Sequence, residues 1–294
     1  MFQLDRYLKE RAALVERALS QVVPDPSGPD GRLLEAMRYS LLGGGKRLRP
    51  ILALAACEAV GGAPERAIGF ACAVEMIHNY SLIHDDLPCM DNDDLRHGRP
   101  TNHKVYGDAM ATLSGDGLLT DAFKVLARSD GVPSAVVLHA VADLAEAAGS
   151  AGMVGGQVID LQSEGKSLSL DELKHLHAKK TGALFLASIV GGARLGGATE
   201  AQLANLNQYA RALGLAFQVV DDLLDVEATT EQMGKRTGKD QAAGKATFPS
   251  LMGIDKSRQF ARDLERQAHD ALAEFGPPAD PLRAIATFVV ERRQ

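Results

Sequence analysis

Two clusters of aspartate hold most of this sequence's capacity for chemistry. In the first, HDDLPCMDNDDLRHGRPTNHK (residues 84–104), Asp85, Asp86, Asp91, Asp93 and Asp94 are followed at once by Arg96, His97, Arg99, His103 and Lys104. The second is the pair Asp221 and Asp222, with Asp225 just beyond. Asp221 and Asp225 are spaced to share one helical face, about 6 Å apart along the axis. Like charges so placed repel by roughly a few tenths of a kcal/mol, and a counter-cation relieves them. Asp85 and Asp91 would splay apart on a regular helix, and Pro88 between them is expected to distort the backbone and bring Asp91 round. Hard oxygen ligands, with no histidine or thiolate in the set, suit magnesium, which takes one or two carboxylates together with phosphate oxygens and water.

A run of aspartates is ordinarily no more than a solvated helix end. Here both pairs directly follow strongly apolar segments, SLIH and GLAFQVV, which places them at the rim of a buried cavity. A calcium loop is excluded, because DNDDLR carries arginine where the EF-hand needs its glycine.

The cations form a matching set: Lys46 and Arg49 in GGGKRLR, then Arg96 and Arg99, then Lys179 and Lys180, then Lys235, Arg236, Lys239 and Lys245 in the polar connection of residues 227–249. Arginine forks and lysine point charges are what phosphate oxygens need. Neither GGGKRLR nor SEGKSLS is a P-loop: the first lacks a hydroxyl residue after its lysine, and the second has Asp160 in place of the first glycine. GGARLGG follows no strand and misses the dinucleotide fingerprint. Two carboxylate-held metal sites with cations around them imply a substrate rich in phosphate, and the apolar helices imply an apolar portion. That is a lipid-like diphosphate.

The elements that must position these groups are helices. Apolar residues recur at helical spacing almost throughout, as in Leu4, Leu8, Ala12, Val15 and Leu19. Ser169 with Glu172 and Thr199 with Gln202 have the capping-box pattern, and Asp280 before Pro281 reads as a cap followed by a first-turn proline. No alternating β-branched run bounded by hairpin turns occurs, so no sheet is expected. The chain reads as all-α, a single domain over residues 1–294 with roughly ten or more helices. Residues 67–83 and 182–193 are apolar around most of their circumference and belong at the centre of a bundle or at a subunit interface.

With 294 residues, 46% hydrophobic, 24% charged and a net charge of −6, the composition is that of a globular chain without the basic excess that nucleic-acid binding requires. Cys57, Cys72 and Cys89 form no CxxC pair, which argues against a disulfide framework or a zinc site and for a reducing cytosol. The charged, amphipathic start is unlike a signal peptide. The uncharged run of residues 181–193, which no other exceeds, falls short of the roughly 20 residues that span a bilayer.

Together LIHDDLPCMDNDDLR, GGGKRLRP, KKTGALF, GGQVIDLQSE, FQVVDDLLD and GKATFPSL resemble the short-chain trans-prenyl diphosphate synthases of the polyprenyl synthetase family, and most closely the bacterial farnesyl diphosphate synthases. The likeness runs over residues 31–272. It implies an all-α homodimer of the isoprenoid synthase fold, helices around a deep central cavity, and magnesium, three ions to each active site. By resemblance, Asp85, Asp86 and Asp91 hold metal against an allylic diphosphate, and Asp221 holds a further ion supported by Asp222 and Asp225. Arg96, Lys180 and Lys235 would grip that diphosphate, and Lys46, Arg49 and His78 would bind isopentenyl diphosphate. The Lys180 carbonyl, the Thr181 hydroxyl and the Gln218 amide would stabilise the carbocation, and Lys235 and Lys245 would seal the site on closure of residues 227–249.

The implied reaction condenses isopentenyl diphosphate with an allylic diphosphate to give farnesyl diphosphate. Geranylgeranyl synthesis is the alternative, since such enzymes share these motifs and differ mainly at the cavity floor. Tyr80, one to one and a half turns before Asp85, is read as that floor. A noncatalytic synthase subunit should have lost aspartates from one cluster, and both clusters are complete. A terpene cyclase would lack DDLLD and GGGKRLRP, and a ferritin-like bundle would use glutamates. The family usually has arginine where His97 stands. Weaker binding of isopentenyl diphosphate is expected, falling as pH rises through about 6 to 7.5, where an unperturbed histidine loses its charge, unless Arg99 substitutes.

Overall fold

The computed structural model describes residues 2–227 and 246–292. Its helices are α1 (Leu4–Val22), α2 (Gly31–Leu41), α3 (Leu48–Ala59), α4 (Ile68–Asp85), α5 (Asn102–Tyr106), α6 (Asp108–Ala127), α7 (Ser134–Ala148), α8 (Met153–Ser163), α9 (Leu170–His177), α10 (Ala183–Gly196), α11 (Glu200–Glu227), α12 (Phe248–Met252), α13 (Ile254–Ala271) and α14 (Asp280–Glu291). A π-helical turn, Ala178–Gly182, joins α9 to α10. The architecture is all-α, as the helical periodicity requires.

The expectation of no sheet needs one correction. Leu95–Arg96 pairs antiparallel with Arg99–Pro100, Arg96 opposite Arg99. His97 and Gly98 turn the hairpin with φ of 50° and 75°, the left-handed pair that a two-residue I′ turn demands. Strands of two residues are too short to show a period of two in sequence.

The segments that are apolar all round do lie at the centre. Phe70, Ala71, Val74, Met76 and Ile77 of α4 are essentially sealed from solvent, and α4 packs against α6 on one side and α3 on another. Full burial of a side chain such as Phe70 or Ile77 stabilises the fold by about 1.5–3 kcal/mol. α10 packs against α3, α7 and α11. Two glycines permit its approach: a Cβ on Gly192 would lie 2.1 Å from the Ala53 carbonyl oxygen of α3, and one on Gly191 would lie 2.2 Å from the Phe70 ring. α13 runs along α11, and α14 lies across α11 and α3.

Helix starts follow local chemistry. The capping box of Ser169 and Glu172 forms, and Thr199 and Gln202 exchange the same reciprocal bonds at 2.9 and 3.3 Å. Asp280 differs from its expected role. It is the first residue of α14, not its cap, and its carboxylate pairs with Arg283 at 2.7 Å.

Candidate active site

The two acidic clusters sit at the C-terminal ends of α4 and α11. Pro88 does not distort α4, contrary to the expectation from the spacing; the helix ends at Asp85 and the chain turns. The Asp91 N–H donates to the Asp85 carbonyl at 2.8 Å, and Met90 and Asn92 both donate to that of Leu87 at 2.9 and 3.1 Å. Asp91 is thus returned beside Asp85 by a closed turn, helped by Asn92 at φ 50°. Burial pushes the Asp85 carboxyl up to about 6, with Asp91 and Asp86 adding to the rise and Lys180 and Arg96 opposing it. On α11, the Arg292 guanidinium reaches the exposed Asp221 carboxylate at 3.3 Å.

Asp86 and Asp222 are placed differently from their neighbours. Asp86 is 3% exposed and takes the Arg96 guanidinium as a fork, at 2.9 and 3.0 Å from Nε and 2.6 Å from Nη2. Asp222, also 3% exposed, accepts the Phe248 N–H at 2.9 Å and the Gln218 amide at 3.3 Å. Each therefore points into the protein, whereas Asp91 and Asp221 are exposed. Among the described residues no three His, Cys, Asp or Glu side chains converge as a ready metal cage. Magnesium needs none, because one or two carboxylates plus phosphate oxygens and water complete its shell. The paired carboxylates Asp85 with Asp91 and Asp221 with Asp225 fit that requirement.

Beside them lies a cavity of about 760 Å³ whose wall carries Lys46, Arg49, His78, Arg96, His97, Arg99 and Arg292. Arg47, inside GGGKRLR, holds this wall in place. Its backbone is left-handed at φ 49°, and its buried guanidinium bonds Glu16 at 2.7 Å, Glu75 at 2.6 Å and the Leu41 carbonyl at 2.7 Å. Arg49 lies 4.7 Å over the Phe185 ring, and burial pushes it down to about 10. His78 is held well below its ordinary range by burial first and by Arg49 next. It is therefore neutral, and its Nε2, 3.3 Å from Arg49 Nη1, accepts that donor. Arg99 stacks 4.3 Å over Tyr39.

A third group forms around the π turn. Lys180 Nζ is 2.5 Å from Asp160 of α8, and the Thr181 hydroxyl donates to the Gln218 Oε1 at 3.1 Å. All four line a small polar cavity of about 120 Å³ with His177 and Asp222. π turns are rare and cluster at functional sites. Lys235 and Lys245 lie outside the described residues.

Tyr80 is buried at 6% exposure, stacked edge-on against His84 at 5.8 Å, and is not part of the larger cavity's wall. Sequence reasoning missed three groups. Asp160 was legible in GGQVIDLQSE as an acid within an apolar helix. Glu75 carried the same signal on α4. Arg292 had none beyond the basic end of the chain: it reaches Asp221 at 3.3 Å and lies 4.0 Å over the Phe217 ring, linking the cationic wall to the second acidic cluster.

Residues 30–274 match the family described as Polyprenyl synthetase. The chain belongs to that family. The matched span is close to residues 31–272, where the motifs had placed the likeness. A heterodimeric geranylgeranyl pyrophosphate synthase large subunit of Arabidopsis thaliana is 50% identical over 301 residues, covering 99% of this chain and 80% of that protein. A geranylgeranyl pyrophosphate synthase of Catharanthus roseus is 50% identical over 296 residues, covering 99% and 82%. Among solved structures, an FPP/GFPP synthase from Zymomonas mobilis superposes with a TM-score of 0.89 at 43% identity, covering 98% of each chain. This polyprenyl synthetase thus has a fold and a transferase family in common with all three. The farnesyl synthases are not singled out, because these two relatives carry geranylgeranyl names while the solved structure carries a farnesyl one. No helix among the described residues is long and apolar enough to cross a membrane.

Proposed function

We propose that this polyprenyl synthetase joins isopentenyl diphosphate to an allylic diphosphate and carries the chain to geranylgeranyl diphosphate. The observation that carries the reaction is the pairing of two acidic helix ends with a cationic cavity beside them. Lys46, Arg49 and neutral His78 bind the isopentenyl diphosphate. Arg96 and Lys180, held by Asp86 and Asp160, lie ready beside the allylic diphosphate. Asp85, Asp91 and Asp221, with Asp225 in support, would hold magnesium, which when bound would supply positive charge to the departing diphosphate. As the allylic C–O bond breaks, the diphosphate keeps the electron pair and the carbon skeleton is left positive. The alkene of isopentenyl diphosphate forms the new C–C bond, and a proton passes to the departed diphosphate. Thr181 and Gln218 offer oxygen lone pairs to the cation without a strong base, in a site from which water is excluded.

Geranylgeranyl length is favoured by the names of the relatives, 50% identical over nearly the whole chain. Farnesyl diphosphate is the second reading, favoured by the FPP/GFPP name of the solved structure that is 43% identical over 98% of the chain. A homodimer working in the cytosol completes the proposal. The test is to incubate the purified protein with magnesium, isopentenyl diphosphate and dimethylallyl, geranyl or farnesyl diphosphate in turn, and to measure product length. Extension of farnesyl diphosphate supports the first reading, arrest at farnesyl supports the second, and no product with any primer refutes the reaction.

A further inference from the structure

We propose that Asp222 is a positioning residue and not a magnesium ligand: it sets the direction of a hydrogen-bond chain that turns the Thr181 proton away and leaves the hydroxyl's lone pairs for the cation. The inference rests on the prenyl transfer proposed above. An ionised carboxylate only accepts hydrogen bonds. The Gln218 atom at 3.3 Å from Asp222 Oδ1 must therefore be the amide NH2. That assignment turns Gln218 Oε1 toward Thr181, at 3.1 Å. A carbonyl oxygen also only accepts, so the Thr181 hydroxyl must donate, and it has one proton to give. What remains on Thr181 is lone pairs, which stabilise a carbocation where an O–H directed at it would oppose it.

The same carboxylate is ill placed to serve a metal. Its second oxygen takes the N–H of Phe248, the first residue of α12, at 2.9 Å, and the residue is 3% exposed while Asp221 beside it is open to solvent. A metal ion would have to compete with N–H donors at both oxygens. Asp222 thus ties the start of α12 to the amide that orients Thr181.

Asp222→Asn keeps the shape and changes the polarity. The Phe248 N–H cannot turn, so the substituted side chain keeps its oxygen there and presents NH2 to Gln218. Gln218 must then flip, and its own NH2 drives the Thr181 proton outward. In steady-state assays kcat is expected to fall about tenfold or more, the range in which positioning partners act. The magnesium concentration for half-activation and the KM for the allylic diphosphate stay within about twofold of the unaltered enzyme, whereas Asp221→Asn raises the magnesium requirement. With Thr181→Val in the background, Asp222→Asn should cost little more, since both changes break one chain. A magnesium requirement raised as in Asp221→Asn, an unchanged kcat, or losses that multiply in the double variant would each overturn the proposal. Should Asp222→Asn not fold, Asp222→Glu carries the test: the longer acceptor-only group leaves the magnesium requirement unchanged, and a raised requirement overturns the inference. Absence of product from the unaltered enzyme would refute the reaction itself, and this is read in the same assay before any variant.

Discussion

Glu75→Leu should damage stability and one substrate's binding together. The Glu75 side chain is 5% exposed and that of Arg47 1%, and they meet at 2.6 Å. Breaking a buried pair by removing one partner costs about 3–5 kcal/mol, because the other charge is left uncompensated. Arg47 would keep Glu16, whose side chain is 38% exposed, and the Leu41 carbonyl, so the low end, about 3 kcal/mol, is expected. For a chain of this size that is a fall in Tm of about 5 °C. Arg47 also holds a left-handed backbone between Lys46 and Arg49, a conformation costing about 1–3 kcal/mol that the surrounding contacts must sustain. With one anchor gone the KM for isopentenyl diphosphate rises several-fold, and that for the allylic diphosphate stays put. Glu75→Gln, which still accepts from Arg47 and Asn79, should lose only about a third as much. Thermal unfolding with initial rates against each substrate gives both readouts. A Tm change under about 2 °C, or equal rises in both KM values, would refute the reasoning.

Tyr80→Ala should lengthen the product if the buried ring blocks the tail, and an unchanged product spectrum from an active variant removes that role. Asp85 makes a pH prediction: its folded value, about 6, lies above the roughly 4 of an unfolded aspartate. The folded state therefore binds the extra proton, and this group's contribution to stability rises as pH falls from about 6 to about 4. Magnesium must displace that proton, so the concentration for half-activation should climb as pH drops below about 6; a flat titration, or one unaltered in Asp85→Asn, contradicts it. Gly192→Val should destabilise the protein by several kcal/mol, since even a Cβ would lie 2.1 Å from Ala53, beyond what about 1–3 kcal/mol of ordinary overpacking covers. Urea unfolding measures it.

Much of this was legible in the residues, for physical reasons that also mark where legibility stops. Helical period and capping chemistry are local, so the boxes at Ser169 and Thr199 could be read directly. Asp280 has the same chemistry, but Arg283 one turn on offers its carboxylate a stronger partner. The aspartate clusters announced themselves as groups, and sequence assigned Asp85, Asp86 and Asp91 of the first and all three of the second to metal without telling their surroundings apart. Asp86 and Asp222 instead accept N–H donors from distant chain, Arg96 and Phe248, which only folding brings near. Pro88 suggested a bent helix, whereas hydrogen bonds to Asp85 and Leu87 close a turn after the helix has ended. Arg292 could be placed only by the packing of α14 across α11.

On the proposed function, the acidic ends of α4 and α11 work on one substrate. Transfer of labelled isopentenyl diphosphate to an allylic primer, measured in the unaltered protein, in Asp85→Asn and in Asp221→Asn, tests it most directly. A prenyl diphosphate product that requires magnesium is expected from the unaltered protein, with a loss of at least about a hundredfold in kcat/KM for the allylic substrate in either variant, about 3 kcal/mol of transition-state stabilisation. Undiminished transfer in one of the variants would contradict it.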